Sequence, residues 1–263
     1  MSDDRKAIFI TGGASGIGLA TGALFAARGW RVGLADVNAV ALAQAAGRIP
    51  GAATFTLDVR DRDGWAAALD AFAGDSARLD VLFNNAGIGI GGPLAEAEFA
   101  DLDRVVAVNF MGVLNGARIG YAYLARTPGS CLLNTASASA IYGSAGLAAY
   151  SATKFAVRAL TEALDGEWAA AGVKVRDIVP AFIETPLLDG HAAGSNRTIR
   201  DTVREAGLEL TPVETVAEAA WRAVHGEPVH TYVGKTAERM RFAARWMPGQ
   251  LRKMMRRGAV GRG

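Results

Sequence analysis

The sequence predicts an α/β protein in which a parallel sheet is covered by helices on both faces. Short apolar runs of strand type alternate with longer runs of helical apolar spacing between residues 7 and 180, and this alternation indicates β-α-β units. The strand-type runs are apolar along their whole length, which suits a sheet that is buried on both faces. Because β-α-β crossovers are right-handed, we predict a doubly wound sheet.

Each predicted element is bounded by residues that end it. Strands are predicted at residues 7–11, 31–35, 53–59, 79–83, 130–135 and 173–179. Helices are predicted at residues 18–28, 39–48, 63–72, 99–124 and 147–171. Gly29 and Gly172 end the first and the last of these helices, and Pro180 ends the sixth strand.

Composition and charge exclude several classes of protein. The 263 residues are 51% hydrophobic, which is enough for a sizeable core, and no linker divides the chain. The net charge of +2 leads us to expect no nucleic-acid partner. A polar N-terminus and the lack of an apolar run of transmembrane length predict a cytoplasmic protein. Cys131 lies in an apolar run and is expected to be a buried structural thiol.

Two segments break the regular alternation. Residues 1–235 are predicted to form one domain, within which residues 183–211 mix polar residues with glycine and are expected to act as a lid. Residues 236–263 form a basic amphipathic extension that Pro248 and Gly249 divide into two short helices. Three arrangements of the extension are open: packing on the body or a neighbouring subunit, peripheral contact with an acidic membrane surface, or disorder.

A glycine-rich loop follows the first predicted strand and precedes a helix. Residues 11–18 read Thr-Gly-Gly-Ala-Ser-Gly-Ile-Gly. Glycine lets backbone N–H groups approach a pyrophosphate, and the N-terminus of the following helix adds a favourable partial charge. The loop therefore predicts a dinucleotide site. Its expected binding residues are Gly12, Ser15, Gly16, Ile17 and Gly18. The alternative is a glycine-rich turn without a ligand.

Acidic residues end the second and third predicted strands. Asp36 lies 18 residues after Gly18, where a carboxylate can accept hydrogen bonds from a ribose diol and repel a 2′-phosphate. We therefore favour NAD over NADP as the cofactor. Asp58 and its neighbour Val59 are placed to contact adenine. Each aspartate could instead cap the helix that follows it.

A tyrosine and a lysine lie one turn apart on a predicted helix. Tyr150 and Lys154 share one helix face, and Ser137 precedes Tyr150 by 13 residues. Together with the glycine-rich loop, these residues indicate a nicotinamide site with a proton donor beside it.

The order and spacing of these motifs resemble the short-chain dehydrogenase/reductase family, over nearly the whole chain to about Gly234. The resemblance rests on residues 11–18, Asp36, Asp58, Val59, 84–87, Asn109, Ser137, Tyr150, Lys154 and 180–185. It implies a single-domain, Rossmann-type, doubly wound parallel sheet of seven strands in the order 3-2-1-4-5-6-7. It also implies a homotetramer or homodimer that pairs through the two long helices.

The resemblance assigns roles to four catalytic positions. Tyr150 matches the general acid/base, and Ser137 should bind the substrate oxygen. Lys154 should favour the phenolate form of Tyr150 and bind the ribose of the nicotinamide. Asn109 matches an asparagine that bends its helix and holds a water. Otherwise Tyr150 would be a surface aromatic residue and Asn109 a tolerated polar one.

The resemblance also extends the expected cofactor site. Residues 84–87 match a motif that steadies the central sheet near the cofactor, which adds Asn85, Ala86 and Gly87 to the binding residues. Pro180, Ile183 and Thr185 match residues beside the nicotinamide. The family usually has glycine where this chain has Ala181.

The residues expected to line the substrate site are mostly small or apolar. They are Ser139, Ile141, Leu147, Phe182, Leu187 and Leu188. The sequence segments that contain these residues have no arginine to bind a carboxylate or phosphate. A small hydrophobic secondary alcohol or its ketone is therefore predicted as the substrate. The alternative is that several of these residues belong to the core. His191, His225 and His230 are scattered along the chain and make no metal site.

The sequence therefore predicts an NAD-dependent alcohol dehydrogenase or ketone reductase. One alternative is a catalytically silent NAD-sensing binding protein on the same fold, and another is an isomerase or dehydratase. The presence of all four catalytic residues favours the enzyme.

Overall fold

Seven parallel strands form one sheet in the computed structural model, which describes residues 5–74, 78–189, 198–205 and 207–260, except for the side chains at 186, 187 and 257–260. The order 3-2-1-4-5-6-7 confirms the predicted fold class. The strands are β1 (Ala7–Thr11), β2 (Arg31–Asp36), β3 (Ala53–Thr56), β4 (Val81–Asn84), β5 (Cys131–Thr135), β6 (Lys174–Pro180) and β7 (His230–Val233).

Helices cover both faces of this sheet and close two cores. They are α1 (Gly16–Ala27), α2 (Ala39–Arg48), α3 (Arg62–Ala73), α4 (Phe99–Val106), α5 (Gly112–Leu124), α6 (Ala148–Trp168), α7 (Ile199–Glu205), α8 (Val213–His225), α9 (Lys235–Trp246) and α10 (Pro248–Val260). Ile8 and Ile10 of β1 join the core beneath α1, α2 and α8, whereas Ala7 and Phe9 join the core beneath α3, α5 and α6. Successive side chains of a strand point to opposite faces, so a continuous apolar run fills both cores.

Some element boundaries differ from the predictions. β3 ends at Thr56 rather than at residue 59, because the chain turns at Asp58, whose carbonyl accepts a hydrogen bond from the N–H of Asp61 at 2.9 Å. Neither β7 nor α8 was located from the sequence. The buried residues Val216 and Ala220 of α8 do lie at helical spacing, so a usable signal was present.

The predicted long helix over residues 99–124 is divided by a π turn. α4 runs into π-helical geometry at Ala107–Met111, and α5 follows directly. Asn109 lies in this turn and is fully buried. A π turn inserts one extra residue into a helix and is often found at functional sites. The π turn at Asn109 therefore points to a functional role for this residue.

Three glycines let α5 approach the sheet closely. Gly112, Gly116 and Gly120 are spaced by four residues and so share one helix face. A Cβ atom on Gly116 would lie 2.3 Å from Oδ1 of Asn84, and one on Gly120 would lie 2.2 Å from Cδ2 of Leu82. The interface between α5 and β4 therefore has no space for a side chain at these positions.

We expect Gly116→Ala to lower the free energy of unfolding by about 1–3 kcal/mol, because the new methyl group overpacks this interface. Gly166→Ala is the matched control, since Gly166 also lies within a helix but a Cβ atom there meets no atom within 4 Å. This control should raise the free energy of unfolding by about 0.5–1 kcal/mol, because alanine has the higher helix propensity. Urea unfolding measures both, and a similar effect of the two variants would contradict the prediction.

The segment predicted to be a lid is held at several points. Ile183 and Thr211 form an isolated parallel bridge near its two ends. Within it, Arg200 of α7 forms an ion pair with Asp189 at 2.9 Å. Residues 190–197, which include His191, lie outside the described residues.

The extension at residues 236–263 contains α9, apart from its first residue Lys235, and the whole of α10. Pro248 is the first residue of α10, where proline is favoured because its missing N–H group is not needed. Ala237 of α9 and Leu251 of α10 are buried. Among the helices of the described residues, none combines the length and the apolar character needed to cross a membrane.

Candidate active site

The C-terminal ends of the strands border a cleft of about 480 Å³. Because the strands are parallel, these ends meet at one edge of the sheet, and the strand order reverses between β1 and β4. Ligands of open α/β sheets bind at such a reversal. The sheet therefore places the cleft where a dinucleotide is expected.

The predicted cofactor residues, with one exception, line this cleft. They are Gly12, Ser15, Gly16, Ile17, Asp36, Asp58, Val59, Asn85, Ala86, Gly87, Tyr150, Lys154, Pro180, Ile183 and Thr185. The exception is Gly18, which is not among the lining residues and lies behind the loop. A Cβ atom on Gly18 would lie 2.2 Å from the carbonyl oxygen of Gly12. Gly18 therefore permits close packing of the loop and does not provide a lining surface.

The glycine-rich loop has the geometry of an anion site. Gly12 and Gly16 have φ values of +63° and +51°, in the left-handed region that glycine adopts without strain. The side chain of Ser15, the N-cap residue of α1, makes no capping hydrogen bond. The N-terminal N–H groups of α1 are therefore open to an anionic ligand in the cleft. This arrangement fits the pyrophosphate of a dinucleotide.

A hydrogen-bond network joins the loops that follow β1, β4 and β5. Oγ1 of Thr11 accepts hydrogen bonds from the N–H groups of Asn85 and Ala86, both at 3.1 Å. Nδ2 of Asn85 donates to the carbonyl of Thr11 at 3.0 Å, and Oγ1 of Thr135 donates to Oδ1 of Asn85 at 3.1 Å. The network fixes the floor of the cleft. Thr135 was not predicted as a site residue, because a threonine at a strand end has no distinctive pattern.

The carboxylate of Asp36 lines the cleft at the end of β2. It accepts hydrogen bonds from the N–H groups of Ala14 at 3.3 Å and Asn38 at 3.1 Å. The side chain that caps α2 is that of Asn38, whose Oδ1 accepts from the N–H of Ala41 at 3.0 Å. The capping alternative for Asp36 is therefore wrong. Carboxylate oxygens have further lone pairs that a ribose diol can use.

The carboxylate of Asp58 also lines the cleft, and it is paired with Arg60. Nε of Arg60 donates to Oδ1 of Asp58 at 2.9 Å. This side-chain hydrogen bonding is the main cause that lowers the pKa of Asp58. The cap of α3 is Asp61, whose side chain accepts from the N–H of Asp63 at 3.0 Å, so Asp58 does not cap that helix either.

Ser137, Tyr150 and Lys154 meet in the cleft. Burial is the main influence on the pKa of Tyr150 and raises it, whereas hydrogen bonding from Ser137 has a smaller effect that lowers it. A phenol with a raised pKa is neutral at pH 7, so Tyr150 can donate a proton to a substrate oxygen.

Lys154 is buried beneath Tyr150. Its side chain is 3% exposed, and its Nζ donates to the carbonyl of Thr135 at 2.9 Å. Nζ lies 5.7 Å from the ring centroid of Tyr150. Burial lowers the pKa of Lys154 to about 8. Lys154 is thus mostly charged at pH 7 and stabilises negative charge on the phenol oxygen.

Asn109 does not line the cleft but lies directly behind it. Its Oδ1 accepts from the N–H of Ile88 at 2.8 Å, and its Nδ2 donates to the carbonyl of Ile88 at 2.9 Å. A Cβ atom on Gly87 would lie 3.3 Å from Oδ1 of Asn109 and 3.6 Å from Nζ of Lys154. Asn109 therefore holds the loop after β4 close to Lys154.

The predicted substrate residues are largely absent from the lining. Leu188 lines the cleft, whereas Ile141, Leu147 and Phe182 do not. Ser139 is buried, and its N–H donates to Oγ of Ser137 at 3.1 Å. The side chain of Leu187 is outside the described part of the structure. The 3-10 turn at Ala138–Ala140 buries the residues that follow Ser137, which strand-end reasoning could not foresee.

The cleft also contains residues that the sequence analysis did not select as binding residues. They are Val37, Leu57, Arg60, Ile88, Arg104, Val108, Thr135, Ala136 and Ala181. Several of these are direct neighbours in sequence of a predicted residue. They could have been identified if each predicted strand-end loop had been extended by a residue. Arg104 and Val108 come from α4 and its π turn, and no sequence motif indicates which face of that helix meets the cleft.

The strand order, the glycine-rich loop and the Tyr150–Lys154 pair are typical of oxidoreductases that use a nicotinamide dinucleotide. The chain belongs to the short-chain dehydrogenase family, because the family model described as short chain dehydrogenase matches residues 6–195. The protein is therefore an oxidoreductase with a fold that binds a nicotinamide cofactor.

Several known proteins are similar to this chain. Meso-2,3-butanediol dehydrogenase of Serratia marcescens is 32% identical over 228 residues, which are 85% of this chain and 89% of that protein. Cyclopentanol dehydrogenase of a Comamonas species is 35% identical over 186 residues, which are 69% and 74% of the two chains. The crystal structure of 3-ketoacyl-(acyl-carrier-protein) reductase from Brucella melitensis, complexed with NADH, has a TM-score of 0.77 and 30% identity, with 87% and 96% of the two chains covered.

Proposed function

We propose that the protein is an NAD-dependent dehydrogenase that interconverts a hydrophobic secondary alcohol and its ketone, with Tyr150 as the general acid/base. The observation that carries this proposal is the meeting of Ser137, Tyr150 and Lys154 in one cleft with the glycine-rich loop. The proposal is also supported by two relatives, meso-2,3-butanediol dehydrogenase and cyclopentanol dehydrogenase, whose names each contain a secondary alcohol.

The chemistry follows from the geometry of these three side chains. A bound nicotinamide would accept the hydride in alcohol oxidation and supply it in ketone reduction. In reduction, the Tyr150 phenol donates its proton to the substrate oxygen, and the hydroxyl of Ser137 donates a hydrogen bond to the same oxygen. Lys154 stabilises the phenolate that remains. In oxidation, the phenolate of Tyr150 removes the hydroxyl proton.

The cofactor proposal assigns each part of the dinucleotide to lining residues. Gly12, Ser15, Gly16 and Ile17 would hold the pyrophosphate, with Gly18 packed behind them. Asp36 would hold the adenosine ribose, and Asp58 and Val59 would border adenine. Residues 85–87 with Pro180, Ile183 and Thr185 would enclose the nicotinamide. The support for these assignments is that all of them except Gly18 line one cleft.

NAD is proposed rather than NADP on the charges around Asp36. The carboxylate would repel a 2′-phosphate. Arg60, a lining cation that could attract that phosphate, is held by three side-chain hydrogen bonds to Asp58 at 2.5 to 3.0 Å. Both carboxylates thus favour NAD: that of Asp36 repels the 2′-phosphate of NADP, and that of Asp58 neutralises Arg60.

We expect wild-type kcat/KM to favour NAD over NADP by at least about 100-fold. Asp36→Asn should reduce this preference at least about tenfold, because it removes a charge-assisted hydrogen bond and the repulsion of the 2′-phosphate. Initial rates with the two cofactors, over a panel of secondary alcohols that includes cyclopentanol, measure the ratio. Asp63→Asn is the matched control, since Asp63 is exposed on α3 outside the lining residues. A wild-type preference for NADP would contradict the assignment of Asp36.

The substrate proposal rests on the apolar part of the lining. Ile88, Val108, Ile183 and Leu188 line the cleft together with Tyr150. Such a wall favours a small hydrophobic substrate. The substrate roles of Ser139, Ile141, Leu147, Phe182 and Leu187 remain predictions, as does closure of a lid formed by residues 183–211.

We also propose a homotetramer or homodimer located in the cytoplasm. Phe99 and Val106 of α4 and Phe155 of α6 are exposed apolar residues on the helices where pairing is expected. Exposed apolar area of this kind is often covered by a second subunit.

A further inference from the structure

Charge is distributed very unevenly along this chain. Of its 28 Lys and Arg residues, eight fall within residues 236–263, against one of the 26 Asp and Glu residues, Glu238. The extension thus carries a formal charge of +7, while the other residues together carry −5. A net charge of +2 for the whole chain conceals this asymmetry. The positive charge needs an explanation of its own, because the proposed reaction makes no use of it.

The same extension exposes large apolar side chains. Phe242 and Trp246 of α9 are 59% and 65% exposed, and Met247 and Met254 are also exposed. The side chains that form this surface are Arg239, Arg241, Phe242, Arg245, Trp246, Met247, Arg252, Lys253 and Met254, which we call the C-terminal patch. Phe242 and Trp246 lie one helical turn apart and so point the same way, with Arg239 and Arg245 beside them.

α9 therefore has two apolar faces. One contains the buried Ala237 and faces the body of the protein. The other is centred on Phe242 and Trp246 and faces outward. An ordinary surface helix has one apolar face, towards the core. The second face indicates an external apolar partner.

A groove of about 850 Å³ lies between this outward face and β7. Its aromatic lining comes from Tyr232, Phe242 and Trp246, and its cations include Arg241 and Arg245. The guanidinium of Arg241 lies 4.7 Å from the ring centroid of Tyr232, and that of Arg245 lies 5.3 Å from that of Trp246. Within the described residues, neither arginine forms an ion pair with a carboxylate.

We infer that the C-terminal patch docks the protein on the surface of an anionic lipid bilayer. Phe and Trp side chains insert at the boundary between headgroups and acyl chains, and arginines beside them reach the anionic headgroups. The charge of +7 complements such a surface. A symmetric contact between two copies would instead bring two such patches together, and their like charges would repel. The exposed apolar side chains also favour lipid over nucleic acid.

Co-sedimentation of the full-length protein with vesicles tests this inference without any measurement of activity, so it is independent of the proposed function. We expect binding to vesicles of phosphatidylcholine and phosphatidylglycerol in equal amounts. Binding to phosphatidylcholine alone should be at least about tenfold weaker, and added salt should weaken binding to the mixed vesicles. Equal binding to both kinds of vesicle would overturn the inference.

Two double variants locate the contact. Each arginine near an anionic surface strengthens binding about fivefold, so Arg241→Gln with Arg245→Gln should weaken it about 25-fold. Phe242→Ser with Trp246→Ser should weaken it at least about tenfold, because the apolar insertion is lost. All four residues are exposed, so the core is left unchanged. If the aromatic variant fails to fold, as judged by circular dichroism, the arginine variant alone decides.

Matched controls remove the same kinds of side chain elsewhere. Arg48→Gln with Arg126→Gln removes two exposed charges, and Val40→Ser with Leu94→Ser removes two exposed apolar side chains away from the helices where pairing is expected. Both should bind within about twofold of wild type. The inference is overturned if the patch variants bind like these controls. It is also overturned if the patch variants change the mass in solution, or bind a short RNA less well, while vesicle binding is unchanged.

Discussion

Tyr150→Phe should lower kcat for a secondary alcohol by about a thousandfold, while the Kd for NAD changes by less than about threefold. The substitution removes only the phenolic oxygen, which is the proposed acceptor of the substrate proton, and general acid/base catalysis contributes about 10²–10⁴-fold. The ring that lines the cleft remains, so the cofactor keeps its contact surface. NADH absorbance measures kcat, and quenching of protein fluorescence on titration with NAD measures Kd.

Tyr121→Phe is the control for this substitution. Tyr121 is partly buried on α5, its ring lies 4.7 Å from that of Trp168, and it does not line the cleft. Loss of its hydroxyl should leave kcat within about twofold. If the Tyr150→Phe variant keeps a tenth of wild-type activity, Tyr150 is not the general acid/base. Unchanged NAD binding with no detectable wild-type turnover on any alcohol would instead support a binding protein.

Lys154→Met should inactivate the enzyme and stabilise the fold at the same time. Loss of a positioned charge beside the phenolate should lower kcat about 10²–10³-fold. Burial lowers the pKa of Lys154 from 10.5 to about 8, and this change corresponds to about 3 kcal/mol of unfavourable burial at neutral pH. The lost hydrogen bond to the carbonyl of Thr135 offsets about 1 kcal/mol. The variant should therefore be about 2 kcal/mol more stable at pH 7 in urea unfolding.

The pH dependence of stability gives this prediction a second measurement. Between the folded pKa of about 8 and the unfolded value of 10.5, the unfolded chain binds more protons than the folded one. The free energy of unfolding of the wild type should therefore rise with pH across this window. Below about pH 8, where Lys154 is charged in both states, this lysine should cause little change of stability with pH. Lys154→Met should lack that rise.

The activity of the wild type should follow the same ionisation. Ketone reduction requires charged Lys154, so kcat/KM should be level below about pH 8 and fall above it as the lysine loses its proton. Lys174→Met is the control, because Lys174 lies at the surface in an ion pair with Glu227. Its kcat should be unchanged and its stability within about 1 kcal/mol of wild type. A Lys154→Met variant with near-normal kcat, or one several kcal/mol less stable, would contradict the argument.

The parts of the site that could be predicted from the sequence are those whose positions are determined by residues nearby in the chain. The loop at residues 11–18 joins a strand to a helix, Asp36 ends β2 and Asp58 lies shortly after β3, so parallel packing alone places them at one edge of the sheet. Tyr150 and Lys154 share a helix face through their spacing. For such residues, local conformation already determines position, because the C-termini of parallel strands must meet.

Local sequence patterns could not predict which residues cap helices or which glycine permits close packing of the loop. The sequence left open whether Asp36 and Asp58 cap helices, and the structure gives that role to Asn38 and Asp61. Gly18 was predicted to bind the cofactor, yet it lies behind the loop because the carbonyl of Gly12 occupies the space beside it. Only hydrogen-bond geometry and atomic contacts distinguish the roles of such neighbouring residues, because their residue types are compatible with either role.

The sequence by itself determined the fold class, the edge of the sheet that holds the site, and the basic character of residues 236–263. Only the tertiary structure decided that Asn109 lies behind the cleft, that α4 and the π turn after it contribute Arg104 and Val108 to the cleft, and that Phe242 and Trp246 face outward. The physical reason is the range of the interactions. Periodicity and strand ends are set by neighbouring residues, whereas the face that a helix presents is set by packing against segments far away in the chain.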